Sequence, residues 1–214
     1  KAQAHRYAPR GRLADTSLGW TGESLAAASA WRVKSRFEDL AVAAVDGLPG
    51  ASGLSGTLEG DDRVGKLRLD SRGAAFEAGT VFRAPLALDE LEARATWQRE
   101  GGHLEVRIES ARLANADAEV TVAGTWRAMP ESPHASPGWV DLPGQGNRAA
   151  APAVAAYLPN TLPDTRDWLG KAVLAGKVSD GRFELKGDLW HFPFRDGKEG
   201  RFKVEAAIEG GRLQ

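Results

Sequence analysis

Four histidines are the side chains of this sequence best suited to acid–base catalysis or metal binding. They are His5, His103, His134 and His191, and no two of them lie at the spacing of a metal-ligand motif. His103, on the charged side of an alternating segment, and His134, in a turn-rich segment, are expected to be solvated. His191 lies between Trp190 and two phenylalanines, so we expect it to be a packed, structural histidine. The histidines therefore indicate neither a catalytic nor a metal site.

Acidic residues and serines in glycine-containing turns are the other candidates for chemistry. Asp15 and the pair Asp61-Asp62 could bind calcium or activate water, but acidic residues in such turns usually form the turn itself. Residues 52–56 (Ser-Gly-Leu-Ser-Gly) resemble a nucleophile elbow, but the strand-to-helix context that the elbow requires is missing. The sequence has no cysteine, which excludes disulfides and thiolate metal sites. We expect no enzyme, no catalytic residue, no metal and no cofactor.

The overall composition sets the size and the charge of the molecule. Its 214 residues suffice for one large β domain or two smaller units. The 28 basic and 29 acidic side chains nearly cancel, and no basic stripe indicates a nucleic-acid partner. No apolar run approaches the roughly 20 residues of a membrane-spanning helix, and no signal-peptide pattern is present. Both ends lie within strand-like sequence, so the chain is interpreted as a piece of a longer β-rich protein.

Most of the chain consists of short segments in which apolar and charged residues alternate. In residues 103–109, for example, Leu104, Val106 and Ile108 are separated by charged residues. Side chains of a strand point alternately to its two faces, so each segment would have one apolar and one charged face. Turn residues recur roughly every 8 to 12 positions, which is typical of an all-β protein. The sequence predicts a large antiparallel sheet with one apolar side.

The alternation defines two regions of strands. Residues 1–127 are predicted to form an antiparallel meander, and residues 177–214 are predicted to continue the same sheet. Glu100-Gly101-Gly102, between two clean alternating segments, is the clearest hairpin signal of the chain.

The region between the strands has a different character. Residues 128–148 are rich in proline and glycine and are predicted to form a loop, in which Trp139–Leu142 could form a short strand. Residues 149–176 are predicted to form two short helices, the first ending before Pro159 and the second starting near Pro163. These helices either plug one end of the apolar side or complete an ordinary core.

The seven tryptophans could form a sugar-binding platform. Trp20, Trp97 and Trp126, however, fall on the apolar face of their own strands, which favours packing in a core. Trp139 and Trp190 fit either role.

Several segments, in this order along the chain, resemble the YhdP branch of the AsmA-like proteins. The main ones are 157–159 (YLP), 167–169 (DWL), 175–178 (AGKV) and 187–194 (GDLWHFPF). Upstream matches are 7–11 (YAPRG), 18–20 (LGW), 54–56 (LSG), 67–71 (LRLDS), and Asn115 followed by 124–126 (GTW). The resemblance covers essentially the whole chain and is poorest over 128–148.

The resemblance implies a function in lipid transport. Proteins of this branch are long periplasmic proteins of Gram-negative bacteria, anchored in the inner membrane and reaching toward the outer membrane. The resemblance implies that the sheet is curled into an open, taco-like groove, along which phospholipid acyl chains slide while their headgroups stay in water. The partners would be phospholipids and, through parts of the protein outside this chain, the two membranes.

The candidate lipid-contacting residues are the apolar members of the alternating segments. They are Val33, Phe37, Leu67, Leu69, Trp97, Leu104, Val106, Ile108, Val120, Val122, Trp126, Phe183, Leu185, Leu189, Phe202, Val204 and Ile208.

Two alternatives differ from lipid transport in what covers the apolar side. A structural or adhesive β-sandwich module would bury it between two sheets. A carbohydrate-binding module would expose coplanar tryptophans on the charged side.

Overall fold

One antiparallel sheet of ten strands, paired strictly in sequence order, makes up most of the molecule. The computed structural model describes residues 8–24, 27–45, 49–79, 81–134 and 136–214. The strands are β1 (Arg10–Thr21), β2 (Ala30–Val42), β3 (Gly50–Asp61), β4 (Val64–Glu77), β5 (Leu86–Glu100), β6 (His103–Ala114), β7 (Ala118–Arg127), β8 (Trp139–Ala150), β9 (Val173–Asp188) and β10 (Gly200–Leu213). The predicted mainly β meander is confirmed, and the sheet is open, with β1 and β10 at its edges.

Tight turns and β-bulges shape the sheet. The hairpin predicted at Gly101-Gly102 is present: Glu100 pairs with His103, and the two glycines have φ of 56° and 84°. Register shifts interrupt most of the strand pairs. Bulges increase the local twist of a strand pair, so they let strands of this length form a curved rather than a flat sheet.

Three of these bulges place an aspartate in the left-handed region of backbone space. Asp15, Asp39 and Asp180 have φ of 49°, 50° and 50°, and each lies at a register shift. Aspartate tolerates this conformation better than most residues because its short side chain can hydrogen-bond locally. Asp15, a candidate carboxylate in the sequence, is therefore a bulge residue.

The strand β8 is longer than the sequence predicted. It spans Trp139–Ala150, whereas a short strand over Trp139–Leu142 was predicted within a loop over 128–148. Pro143 and three neighbouring polar or glycine positions argued for a loop. The strand forms because it is paired on both sides, with β7 through Val122 and Gly144 and with β9 through Leu142 and Leu185.

Two short helices connect β8 to β9. A 3-10 helix covers Ala151–Tyr157, and the α-helix α1 covers Pro163–Ala172. Proline occupies an early position in each helix, where its missing N–H costs no hydrogen bond. Strand β9 begins at Val173, so the second helix ends earlier than the predicted Gly176.

The helical segment lies across one end of the sheet. The Asn160 backbone N–H donates to the Val81 carbonyl (2.7 Å), in the connection between β4 and β5. The Tyr157 hydroxyl donates to Asp117 Oδ2 (3.2 Å) and accepts from Asn115 Nδ2 (2.9 Å), in the turn between β6 and β7. The segment between β8 and β9 therefore reaches the turn between β6 and β7 and, further along the same end of the sheet, the connection between β4 and β5.

The described residues contain only a small apolar core. Its buried apolar members are Phe37, Ala74, Leu88, Leu91, Ala114, Val140, Ala151, Val173 and Phe194. Three of them cluster, Ala74, Leu88 and Leu91, with Leu69 and Leu113 among the residues packed around them. Domains normally bury an apolar sheet face under a second layer of helices or strands. In the described part of this chain the helical segment Ala151–Ala172 lies at one end of the sheet and the short 3-10 turn Leu189–His191 at the other.

Candidate functional site

A row of uncharged residues crosses the whole sheet. Residues directly opposite each other in antiparallel strands point to the same face, so the register defines the row. From β1 to β10 it consists of Leu13, Phe37, Gly56, Leu69, Ala93, Ala111, Val122, Gly144, Phe183 and Val204. Every member is apolar or glycine. We call this the central row.

Two parallel rows on the same face are also uncharged, with Ser35 among their apolar and glycine members. A second row lies four residues further along each strand, or five in β1 and β6, where a bulge adds one residue. It consists of Leu18, Val33, Gly60, Gly65, Trp97, Val106, Trp126, Val140, Gly187 and Gly200. The row between them contains Ser35, Leu58, Leu67, Ala95, Ile108, Gly124, Leu142, Leu185 and Phe202. We call the surface formed by these three rows the apolar face. It carries no charged side chain.

Most of the candidate residues lie in these rows. The central row contains Phe37, Leu69, Val122, Phe183 and Val204; the second row contains Val33, Trp97, Val106 and Trp126; the row between contains Leu67, Ile108, Leu185 and Phe202.

The remaining four candidates lie outside the three rows. Val120 pairs with Leu113 in a further apolar row, Leu104 pairs with Arg99 at a strand end, and Ile208 pairs with Val178. Leu189 lies in a 3-10 turn after β9 and not in a strand.

The sequence-based list missed the glycines and alanines of the apolar face. Gly56 and Gly60 in β3, for example, keep the same two-residue phase as Leu58, the missed leucine between them. That phase was the available signal, but glycine was taken as a turn residue.

Two aromatic residues of the apolar face, Trp97 and Phe183, lie over glycines of the neighbouring strand. A Cβ atom on Gly65 would overlap the ring of Trp97, and one on Gly144 would overlap the ring of Phe183. The Trp97 indole N–H donates to the Asp61 carbonyl (3.2 Å), which fixes the ring over β4. Glycine thus leaves space for an aromatic ring from the next strand. These two rings therefore lie over a neighbouring strand.

Small hydroxyl residues complete the hydrogen bonding at bulges. Ser71, which is 3% exposed, accepts a hydrogen bond from the Ser55 N–H (2.9 Å) and donates to the Ser55 carbonyl (3.2 Å). Ser35, 7% exposed, lies 2.6 Å from the Thr16 hydroxyl. Ser71 thus pairs with part-buried backbone groups and Ser35 with another side chain, so both serines stabilise the bulged strands without adding charge.

The opposite face of the sheet carries the charges. Arg112 lies between three carboxylates: its Nη1 is 2.7 Å from Glu90 and 3.8 Å from Glu92, and its Nη2 is 3.0 Å from Glu119. The hydrogen bonds from Arg112 lower the pKa of Glu90 and of Glu119, and both carboxylates raise the pKa of the guanidinium. This face is solvated, as the alternation predicted.

Two tryptophans left open by the sequence lie outside the apolar face. Trp139 is paired with Arg127 on the charged face, and the Arg127 guanidinium lies 4.7 Å from the centre of its ring. Trp190 is half exposed and stacks on His134, with ring centres 5.3 Å apart. Each ring already has a neighbour on its face, so the two do not form a coplanar sugar platform.

The candidate catalytic residues have structural roles or are exposed. Asp61 Oδ1 accepts hydrogen bonds from the Arg63 N–H (2.8 Å) and the Val64 N–H (2.9 Å), which lower the pKa of Asp61 and form the turn between β3 and β4. The prediction that His191 is packed is wrong: its side chain is exposed, because the turn at Leu189–His191 points it outward, next to His134. His103 and His134 are exposed, as expected, and His5 lies outside the described residues.

No group of His, Asp and Glu side chains within the described ranges could hold a metal ion. None of the described helices is long and apolar enough to cross a membrane.

The chain is therefore a β-meander protein: it consists mainly of one long antiparallel sheet, and one face of that sheet is uncharged. The family model of the YhdP protein matches all of residues 1–214, and the chain belongs to this family. It is 27% identical over 198 residues to the intermembrane phospholipid transporter YhdP of Escherichia coli (strain K12). The match covers 88% of this chain but only 15% of that relative. No solved structure matches the chain.

Proposed function

We propose that this chain is a segment of a periplasmic protein that carries phospholipids between the inner and outer membranes. Acyl chains of the phospholipids occupy the apolar face of the sheet, and their headgroups stay in water. The observation that carries the proposal is the apolar face itself: three uncharged rows that cross the sheet, while the described helices lie at its ends. The name of the Escherichia coli relative, an intermembrane phospholipid transporter, supports the choice of lipid as the occupant.

The energetics favour an acyl chain as the missing layer. Each buried CH2 group contributes about 0.8 kcal/mol, so a whole acyl chain offsets the incomplete protein core. The apolar face contains no charged side chain that would have to lose water when a lipid passes. The rings of Trp97 and Phe183 lie over Gly65 and Gly144 of the neighbouring strands. Such a surface holds many acyl chains weakly and suits a moving cargo.

The alternatives fit the described residues less well. A β-sandwich needs two facing sheets, whereas all ten strands belong to one sheet. A carbohydrate-binding module needs exposed, coplanar tryptophans, whereas Trp97 lies over Gly65 on the apolar face and Trp139 is covered by Arg127.

A charge placed on the apolar face tests the proposal in cells. In the full-length protein, Val204→Asp puts a carboxylate into the central row, opposite Phe183. Val204 is 58% exposed, so this substitution leaves the core intact. Lys203→Asp is the matched control because Lys203 is the next residue and points to the charged face.

We expect Val204→Asp to slow phospholipid exchange between the membranes at normal protein levels, and Lys203→Asp to leave it unchanged. Equal transport by both variants would contradict the proposal.

A further inference from the structure

A pocket with three cationic side chains lies beside the helical segment. It has a volume of about 560 Å³, and Arg83, Arg166 and Lys171 line it together with one carboxylate, Asp167. Arg83 comes from the connection between β4 and β5, and the other charged residues come from α1. The formal charge of these four residues is about two positive charges. The pocket therefore attracts an anion rather than a cation.

Arg166 keeps most of its hydrogen-bonding capacity unused. Its side chain is only 11% exposed, and its Nε is buried without a hydrogen-bond partner. Its Nη1 donates one long hydrogen bond to Asn160 Oδ1 (3.4 Å), and Asp167 Oδ1 lies 3.6 Å from Nε. A guanidinium has five N–H donors, and buried polar groups normally have partners. The enclosed Nε faces Asp167, whereas Nη2 has no hydrogen-bond partner among the described residues and is not enclosed, so it is open to an acceptor supplied from outside the chain.

The other two cations are also available to a ligand. In the described part of the chain, no carboxylate oxygen lies within 4.0 Å of Arg83 or Lys171. Both side chains belong to exposed residues and can move toward an anion that enters the pocket. Charge-assisted hydrogen bonds from such groups to phosphate are about twice as strong as neutral ones.

The rest of the pocket wall is small and mostly apolar. It consists of Ala84, Ala155, Ala156, Leu158 and Gly170. Asp167 is the one acidic residue that lines the pocket. A ligand with an anionic group and an adjoining apolar part therefore fits it. The helices that provide this wall also contact β8 and β9, so the pocket is anchored to the end of the sheet.

We propose that Arg83, Arg166 and Lys171 form a binding site for the phosphate group of a phospholipid headgroup. This inference rests on the proposed function, because it assumes that phospholipid reaches the end of the sheet that carries the helices. The cations hold the phosphate, and the small apolar wall contacts the glycerol and the first methylene groups. The site gives the segment a preference for phosphate-bearing lipids that the apolar face alone lacks.

Binding of short-chain lipids to the purified full-length protein tests the site. The probes are dihexanoyl-phosphatidylglycerol, dihexanoylglycerol, which has the same chains without phosphate, and inorganic phosphate. Calorimetry gives the dissociation constant for each probe with the wild-type protein, Arg83→Gln, Lys171→Gln and Arg166→Gln. Arg63→Gln, an exposed cation in the turn between β3 and β4 at the other end of the sheet, is the matched control.

We expect phosphatidylglycerol to bind more tightly than dihexanoylglycerol, and Arg83→Gln and Lys171→Gln each to weaken it about threefold to tenfold. Arg63→Gln binds phosphatidylglycerol with the wild-type affinity, and no variant changes the affinity for dihexanoylglycerol. Inorganic phosphate competes only weakly with phosphatidylglycerol. Arg166→Gln gives a larger loss, but the two exposed residues carry the test if this variant folds poorly.

Unchanged phosphatidylglycerol affinity in both Arg83→Gln and Lys171→Gln would overturn the inference. Inorganic phosphate that binds as tightly as the phospholipid would also overturn it, because the site would then recognise a free anion. Lipid that still contacts the apolar face in these variants would leave the proposed function standing, whereas a protein that binds neither lipid would contradict both.

Discussion

The ring of Trp97 in β5 covers the backbone of Gly65 in β4, directly opposite it in the sheet. Its indole N–H donates to the Asp61 carbonyl (3.2 Å), so the ring cannot turn away without losing a hydrogen bond. A strand glycine and a tryptophan thus form one unit of the apolar face. The same relationship holds between Gly144 and Phe183.

The substitution Gly65→Ala tests this unit. The added methyl group would overlap the Trp97 ring, and overpacking of this kind typically costs about 1–3 kcal/mol of unfolding free energy. Gly19→Ala is the matched control: Gly19 is also a strand glycine, but nothing lies within 4 Å of its added Cβ. Urea denaturation followed by tryptophan fluorescence measures both. Equal stability of the two variants would show that Trp97 does not depend on Gly65.

The hydroxyl of Ser71 is predicted to stabilise the bulge in β3. Ser71→Ala leaves the part-buried N–H and carbonyl of Ser55 without this partner, which costs about 1–3 kcal/mol of unfolding free energy. Ser110→Ala, at an exposed position on the charged face, is expected to change it by less than about 0.5 kcal/mol. Thermal denaturation compares the two. A Ser71 variant as stable as the Ser110 variant would contradict the assigned role.

Arg112 is predicted to make the stability of the sheet depend on pH in the acidic range. Hydrogen bonds from Arg112 lower the pKa of Glu90 and Glu119 below their ordinary value of 4.5. A carboxylate with a lowered pKa stabilises the fold above its unfolded pKa, and this contribution is lost as the pH falls through the folded pKa.

Removing the guanidinium tests this dependence. In Arg112→Met the pKa values of both glutamates rise. The unfolding free energy therefore falls less steeply as the pH is lowered below about 4.5. Arg107→Met, on the same strand and exposed, keeps the wild-type pH dependence. Denaturation at a series of pH values measures the slope. An unchanged slope in Arg112→Met would mean that other carboxylates dominate the acid sensitivity.

The alternation of apolar and charged residues predicted which side chains share a face, because successive residues of a strand point to opposite faces. Val106 and Ile108 fall in neighbouring rows of the apolar face, and Arg107 points to the other side. The hairpin at Gly101-Gly102 was predictable for a similar reason, since two residues with positive φ select one turn type.

Features that depend on the neighbouring strand were not predictable in this way. Pro143 and Gly144 argue against a strand by composition, yet β8 forms because β7 and β9 pair with it and Phe183 covers Gly144. The exposure of His191 likewise depends on the turn that follows β9. The pocket of Arg83 and Arg166 joins residues that are far apart in sequence, and no local pattern indicates it.

Photo-crosslinking at single sites of the full-length protein in cells tests the central claim most directly. The crosslinker replaces Val106, Ile108 or Val204 on the apolar face, with Arg107 and Lys203 on the charged face as controls. We predict phospholipid adducts at the three apolar sites and none at the two controls. Folded, normally expressed protein without lipid adducts at any apolar site, or with equal adducts on both faces, would contradict the claim that acyl chains occupy this face.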